Sequence, residues 1–175
     1  MNILSLFDGI SCGQIALQRA GIKVDNYFAS EIDKHAIKVT QHNWPNTIQL
    51  GSVVDVKAEN LPKIELLIGG SPCQSFSFSG KRNGMSTIDK QDVLTLAQYL
   101  ELKAQNFQFE GYSYLFWEYV RLLNGVSPTY FLLENVKMSK KWEKVITNAL
   151  QIEPIEINSK LVSAQNRRRL YWSNI

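Results

Sequence analysis

At 175 residues the chain is long enough to bury a sizeable core and is most simply one domain over residues 1–175. Hydrophobic residues make up 45% and charged residues 20%, which excludes a disordered segment and fits an ordinary globular protein. A net charge of +3 sets up no global field that demands nucleic acid, although Arg167-Arg168-Arg169 gathers positive charge near the carboxyl end. Cys12 and Cys73 make no disulfide framework and suit a reducing compartment. His35 and His42 stand seven residues apart, with no cysteine at ligand spacing, so no metal site is predicted. The amino terminus reaches Asp8 without a basic region, unlike a signal peptide, and no apolar run approaches the roughly 20 residues of a membrane span. The expected setting is cytoplasmic.

Ile3 to Phe7 reads as a short buried strand, followed by the loop Asp8-Gly9-Ile10-Ser11-Cys12-Gly13. Ile15, Ala16, Leu17 and Ala20 then suggest a helix closing at Gly21. Val24 to Ala29 is the next strand, ending on Ser30-Glu31, and a helix from about Asp33 to His42 stops before Trp44-Pro45. Ile48 to Val54 and Ile64 to Ile68 complete four strands. Strand and helix alternating at this spacing predict a doubly wound, mostly parallel α/β sheet. Ser75 to Gly84 reads as a mobile loop, rich in Ser, Gly and basic residues. Val93, Leu96, Ala97 and Leu100 predict a helix over Asp89 to Ala104, and Leu115, Phe116, Tyr119 and Leu122 a second over Tyr112 to Leu123. Tyr130 to Leu133 is a further strand, ending on Glu134-Asn135. A helix from Ser139 to Leu150 precedes a closing antiparallel pair, Ile155 to Val162 and Arg168 to Trp172.

Three places in this pattern suit chemistry. Leu66 to Ile68 runs into Gly69-Gly70-Ser71-Pro72-Cys73, which places a thiol at the carboxyl end of a strand, where open α/β sheets hold their ligands. Glu134 follows another buried strand, where a protonatable carboxyl can serve as an acid toward a ring nitrogen. Gln165, Arg167 and Arg169 share one face if the segment is a strand, with Arg168 turned away. At the first loop, Gly9-x-Ser11-x-Gly13 formally matches a hydrolase nucleophile elbow, but that fold needs a later His and the last here is His42. The loop is not Gly-x-Gly-x-x-Gly either, so a dinucleotide fingerprint is unsupported. A glycine loop that admits an adenosyl cofactor remains, with Glu31, 22 residues past Gly9, placed to accept from ribose hydroxyls.

Assembled in order, these segments resemble the DNA (cytosine-5) methyltransferase family from Asn2 to Ile175. Leu6-Phe7-Asp8-Gly9-Ile10-Ser11-Cys12-Gly13 resembles the first cofactor motif and Ser30-Glu31-Ile32 the second. Gly69-Gly70-Ser71-Pro72-Cys73-Gln74-Ser75-Phe76-Ser77 is similar to the Pro-Cys nucleophile motif, and Gly80-Lys81-Arg82-Asn83-Gly84 to the basic loop after it. Glu134-Asn135-Val136 and Gln165-x-Arg167-x-Arg169 match two further motifs. Asp8-Gly9-Ile10, Val162-Ser163-Ala164 and Tyr171-Trp172 look like the vertebrate de novo branch and Gln74 looks bacterial, which suggests a phage or bacterial relative.

The resemblance implies a Rossmann-like S-adenosylmethionine-dependent fold and one catalytic domain over 1–175. It implies methyl transfer from S-adenosylmethionine to C5 of a cytosine flipped out of double-stranded DNA, through a covalent Cys73–C6 adduct. Glu134, Arg167 and Arg169 join Cys73 as catalytic residues. Phe7, Asp8, Gly9, Ile10, Cys12, Gly13, Glu31, Ile32, Ser52, Val53 and Gly70 are the implied cofactor contacts. Ser71, Pro72, Gln74, Asn135 and Gln165 are the implied substrate contacts. The family's third motif carries an acid after glycine, where this sequence has Gly51-Ser52-Val53, with Asp55 close by. Residues near Ile88 to Phe109 read as an insertion, and Tyr112-Ser113-Tyr114 replaces a stretch that usually holds an Arg. The family places a target-recognition region beyond the motif that here ends the sequence. The expectation is therefore an incomplete enzyme: a truncated chain, a prophage remnant or the larger half of a split enzyme, with a second polypeptide or a homodimer as candidate partners. Two alternatives stand beside it: a non-catalytic methyltransferase-like scaffold, and an RNA cytosine-5 methyltransferase.

Overall fold

The computed structural model describes residues 1–73 and 84–175. Its strands are β1 (Asn2–Leu6), β2 (Asn26–Ser30), β3 (Ile48–Gln49), β4 (Leu66–Gly69), β5 (Tyr130–Val136), β6 (Ile155–Asn158) and β7 (Arg168–Ser173). The helices are α1 (Cys12–Arg19), α2 (Lys34–Asn43), α3 (Leu96–Ala104), α4 (Phe116–Val126) and α5 (Lys140–Leu150). Among the described residues the strands form one seven-stranded sheet in the order β3-β2-β1-β4-β5-β7-β6. The β1–β2, β1–β4 and β2–β3 pairs are parallel, and β6–β7 is antiparallel. The doubly wound reading and its antiparallel closing pair are thus observed.

Two compact units make up the described chain, the first comprising residues 1–70, 122–132 and 175. Ile3, Leu4 and Leu6 of β1 are completely buried, as expected for a strand paired on both edges. Ile3, Leu17, Tyr27, Ala29 and Leu66 form one buried apolar cluster here, joined by Met1, Val24 and Ile68. The chain steps outward from β1 to β2 to β3 and returns to β4 on the other side of β1. The strand order therefore reverses between β1 and β4, the kind of point where open sheets form a ligand crevice. Asp33 caps α2 by accepting from the amides of His35 and Ala36, and the helix ends before Pro45. The third strand is far shorter than Ile48 to Val54. Gly51 turns the backbone into the left-handed region at φ +73°, and Asp55 N–H closes a turn onto Ser52 O at 3.0 Å.

The second unit comprises residues 71–121 and 133–174. Trp117, Trp172, Tyr99, Phe116, Tyr119 and Met85 are its largest fully buried side chains. Both indoles find partners, Trp117 donating to Val93 O at 3.2 Å and Trp172 to Thr147 Oγ1 at 3.0 Å. The predicted helix over Asp89 to Ala104 begins only at Leu96. Before it, the chain pairs with itself through Ser86–Asp92 and Thr87–Phe109 bridges. Of the four apolar positions that marked this helix, Leu100 is exposed, while Tyr99 beside it is buried and packed against the rings of Phe109 and Tyr114. A polar group decides this, because the Tyr99 hydroxyl donates at 2.5 Å to Glu118, a carboxylate with no exposed surface. Lys103 Nζ and Arg121 Nε reach the same carboxylate at 2.6 Å each. The helix predicted over Tyr112 to Leu123 likewise begins at Phe116, after a 3₁₀ turn at Ser113–Leu115. No helix among the described residues is long and apolar enough to cross a membrane.

Candidate active site

At the carboxyl end of β1 the backbone takes a left-handed conformation at Phe7 (φ 56°), Gly9 (φ 59°) and Ser11 (φ 60°) before α1 begins. Only the glycine adopts this freely; Phe7 and Ser11 must be held there by their surroundings. Ser11 occupies the N-cap position yet makes no capping bond. Its hydroxyl donates instead to Asp8 Oδ2. Asp8 Oδ1 accepts from Ser5 Oγ at 2.6 Å and from the Tyr27 hydroxyl at 2.8 Å. Burial pushes the Tyr27 phenol well above its ordinary pKa, with the Asp8 charge acting in the same direction. Thr40 of α2 adds its hydroxyl to Ser11 Oγ at 3.2 Å and to Gly9 O at 3.4 Å.

The second predicted carboxylate reaches the same loop. Glu31, just past the end of β2, accepts the Gly9 amide at 2.8 Å with Oε2, and the Ile32 and Asp33 amides at 2.7 and 2.9 Å with Oε1. It ties the loop after β1 to the loop after β2. A β-carbon at Gly9 would meet nothing within 4 Å, so the backbone lies open to a ligand. At Gly13 it would meet Ile68 Cδ1 at 2.6 Å and the Tyr27 hydroxyl at 2.8 Å, so packing already demands glycine there. Ile10 and Ile32 are 50% and 71% exposed, large apolar side chains that follow Gly9 and Glu31 in the sequence. Cys12 is exposed, Ser52 and Gly70 are half-buried and Val53 is buried. An open glycine backbone beside exposed isoleucines and a fixed carboxylate fits an adenosyl group.

In the second unit, Ser71-Pro72-Cys73 follows the end of β4, with Ser71 buried and Cys73 half-buried. Asn135 holds this turn. Its amide nitrogen donates to Ser71 Oγ at 3.0 Å and to Ser71 O at 3.3 Å. Glu134 and Asn135 do not follow β5, as the sequence suggested, but lie inside it, because the strand runs on to Val136. Alternation along the strand places Phe131, Leu133 and Asn135 on the buried side and leaves Glu134 on the other. There Glu134 Oε1 meets Arg169 Nε at 2.8 Å and Arg167 at 3.9 Å. Arg168 points away, as predicted, 3.6 Å from Glu156.

Gln165 is not on a strand with these arginines. β6 ends at Asn158, a 3₁₀ turn occupies Ser159–Leu161, and β7 starts only at Arg168. Gln165 lies exposed in the intervening loop, where its carbonyl accepts from Ser159 Oγ at 2.8 Å. Gln74, most of the predicted mobile loop and all but Gly84 of the Gly80 to Gly84 segment lie outside the described residues. No group of three or more metal-ligating side chains occurs among the described residues. Ser5, Tyr27 and Thr40 join this site although no sequence motif includes them. One signal was present in Ser5, a hydroxyl set between leucines in a buried strand three residues before an acid.

The family model for C-5 cytosine-specific DNA methylase matches residues 1–172. Among curated proteins, the chain is 32% identical to the orphan methyltransferase M.Rho11sI of Bacillus phage rho11s, over 98% of this chain and 32% of that protein. It is 30% identical to the orphan methyltransferase M.SPBetaI of Bacillus phage SPbeta, over 98% of this chain and 44% of the relative. The chain thus spans less than half the length of these relatives. Among solved structures, S. pombe Dnmt2 methyltransferase superposes with a TM-score of 0.65 at 18% identity, covering 99% of this chain and 48% of that one. A candidate DNA modification methyltransferase encoded within an E. coli prophage gives a TM-score of 0.67 at 24% identity, covering 99% and 46%.

Proposed function

The chain belongs to the C-5 cytosine-specific DNA methylase family, and from that premise we propose that it carries the methyl-transfer centre for C5 of cytosine in double-stranded DNA, working in the cytoplasm. The observation that carries the reading is the contact of Glu134 with Arg169 at 2.8 Å, on neighbouring strands β5 and β7. Two motifs 35 residues apart in sequence supply an acid and a cation to one place, and the half-buried Cys73 adds a thiol in the same unit.

When bound, S-adenosylmethionine supplies an electrophilic methyl group on its sulfonium. The loop after β1, with Glu31, Ile10 and Ile32, holds the adenosyl part. Cys73 as thiolate attacks C6 of the flipped cytosine, and the electron pair moves toward C5, which becomes the carbon nucleophile. Glu134 donates to N3, which limits the charge that builds on the ring during attack. Arg169 keeps the Glu134 carboxyl in place, and Arg167, half exposed, is free to reach the base oxygen or a phosphate. Once C5 carries the methyl group, its proton would pass to solvent, the C–H electron pair would restore the C5–C6 double bond, and the C6–S bond would break to return Cys73 as thiolate. Asn135 fixes the turn on which the thiol stands and in this reading positions Cys73 rather than touching the base. The comparisons lend no support to a second polypeptide or a homodimer.

The test is transfer of labelled methyl from S-adenosylmethionine to mixed-sequence duplex DNA, with an RNA duplex and a transfer RNA alongside. Incorporation at cytosine C5 in DNA is expected, lost in Cys73→Ala with cofactor binding retained. Incorporation only into RNA overturns the substrate. Cofactor binding without transfer by a longer chain that includes the relatives' remaining length overturns the catalytic reading in favour of a scaffold.

A further inference from the structure

We propose that Asp8 is a positioning residue that touches no ligand: its carboxylate gathers three buried hydroxyls into a clamp that fixes the strained loop after β1 in its binding conformation. The inference rests on the cofactor reading given above. Each donor comes from a different part of the first unit: Ser5 from within β1, Ser11 from the entry to α1 and Tyr27 from β2. All three are shut away from ligand, with exposures of 4%, 0% and 3%. Thr40 extends the set to α2 through Ser11 Oγ. Charge-assisted bonds of this kind are among the stronger ones available to a side chain, and they hold both Phe7–Asp8 and Ser11 where the backbone alone would not stay. Gly13 belongs to the same device, because only a missing side chain leaves the Tyr27 hydroxyl its path to Asp8.

A clamp and a direct ligand contact make different predictions. If Asp8 acts through the hydroxyls, removing a buried donor must reproduce the effect of removing the acceptor. Tyr27→Phe and Asp8→Asn are each expected to weaken S-adenosylmethionine binding about tenfold by calorimetry, the scale of one lost charge-assisted hydrogen bond. The double variant is expected to be no weaker than the worse single one, since both changes break one network. In turnover assays KM rises and kcat stays within about twofold, which a general loss of folded protein would not produce. Unchanged affinity in Tyr27→Phe, or additive losses in the double variant, overturns the clamp. A second measurement stands apart from the cofactor reading: amide hydrogen exchange over Gly9 to Gln14 without ligand. Both variants are expected to exchange faster there than the parent, with β4 unchanged. Equal protection overturns the clamp even if the cofactor binds, whereas a parent chain that shows the protection but binds no S-adenosylmethionine overturns the cofactor reading and leaves Asp8 as a clamp of the fold alone.

Discussion

Glu118→Gln should cost far more than its small change in shape suggests. The carboxylate has no exposed surface, and three donors converge on it: the Tyr99 hydroxyl at 2.5 Å and Lys103 Nζ and Arg121 Nε at 2.6 Å each. A glutamine with its oxygen at the Oε1 position still accepts from Tyr99 and Lys103, but sets its NH₂ group against Arg121, which needs an acceptor. Each hydrogen bond to a charged group is worth about 1.5–3 kcal/mol when neither side can return to water. Arg121 loses its bond and Lys103 is left with a neutral acceptor; the two are 23% and 37% exposed and recover part of their hydration, so the cost is discounted to about 1.5–3 kcal/mol. At roughly 2–4 °C of melting temperature per kcal/mol for a chain of this size, the midpoint should fall by about 3–12 °C. Urea denaturation followed by tryptophan fluorescence reads the change directly, since Trp117 stands beside Glu118 in α4. Lys103→Met, at the more exposed donor, should cost under about 1 kcal/mol. If Glu118→Gln unfolds within about 0.5 kcal/mol of the parent, the buried carboxylate is not what fastens α3 to α4.

Two further outcomes follow from positions described above. Gly13→Ala places a methyl group 2.6 Å from Ile68 Cδ1 and 2.8 Å from the Tyr27 hydroxyl, and should destabilise the chain by about 1–3 kcal/mol in chemical denaturation, less so in a Tyr27→Phe background. Arg169→Ala should lower methyl transfer by about a hundredfold or more, while Arg168→Ala, whose side chain turns toward Glu156, should stay within a few fold. Single-turnover transfer to duplex DNA compares the two, and equal losses would show that alternation along β7 does not sort these arginines.

The sequence revealed the fold where local pattern and burial agree. β1, β2 and β4 are apolar runs on the interior of a sheet, and Asp33 before α2 is a cap whose mechanism is wholly local. It misled where a polar side chain chose the interior. Leu100 fits a helical stripe, but Tyr99 turns inward because Glu118 offers it an acceptor. The two stand 19 residues apart, a separation that no helical or strand period links. Burial of a charged residue with its partners cannot be read from periodicity, because some of the partners come from another helix. Glu134 is the converse. Its motif was legible, but its place inside β5 was not, since a Glu-Asn pair ordinarily ends a strand. Here Asn135 stays in the interior because Ser71 offers its amide group two acceptors. Gln165 failed for a simpler reason: Asn158 and Ser159 hold the loop through hydrogen bonds to Arg167 and Gln165, and β7 begins only after it.

β6 closes the sheet among the described residues, and its Ile155 and Ile157 are 67% and 44% exposed. Such a border invites a foreign strand to add itself, the route by which sheet proteins stick together. Glu156 stands between the two isoleucines, paired with Lys137 at 2.8 Å and Arg168 at 3.6 Å. The hydrogen bond from Lys137 holds the Glu156 carboxyl below its ordinary pKa, so the border keeps its charge further into acid than a free glutamate would. These pairs lie in solvent and are weakened by salt. Concentrated salt, more than mild acid, is therefore the condition in which solutions of this protein should cloud first.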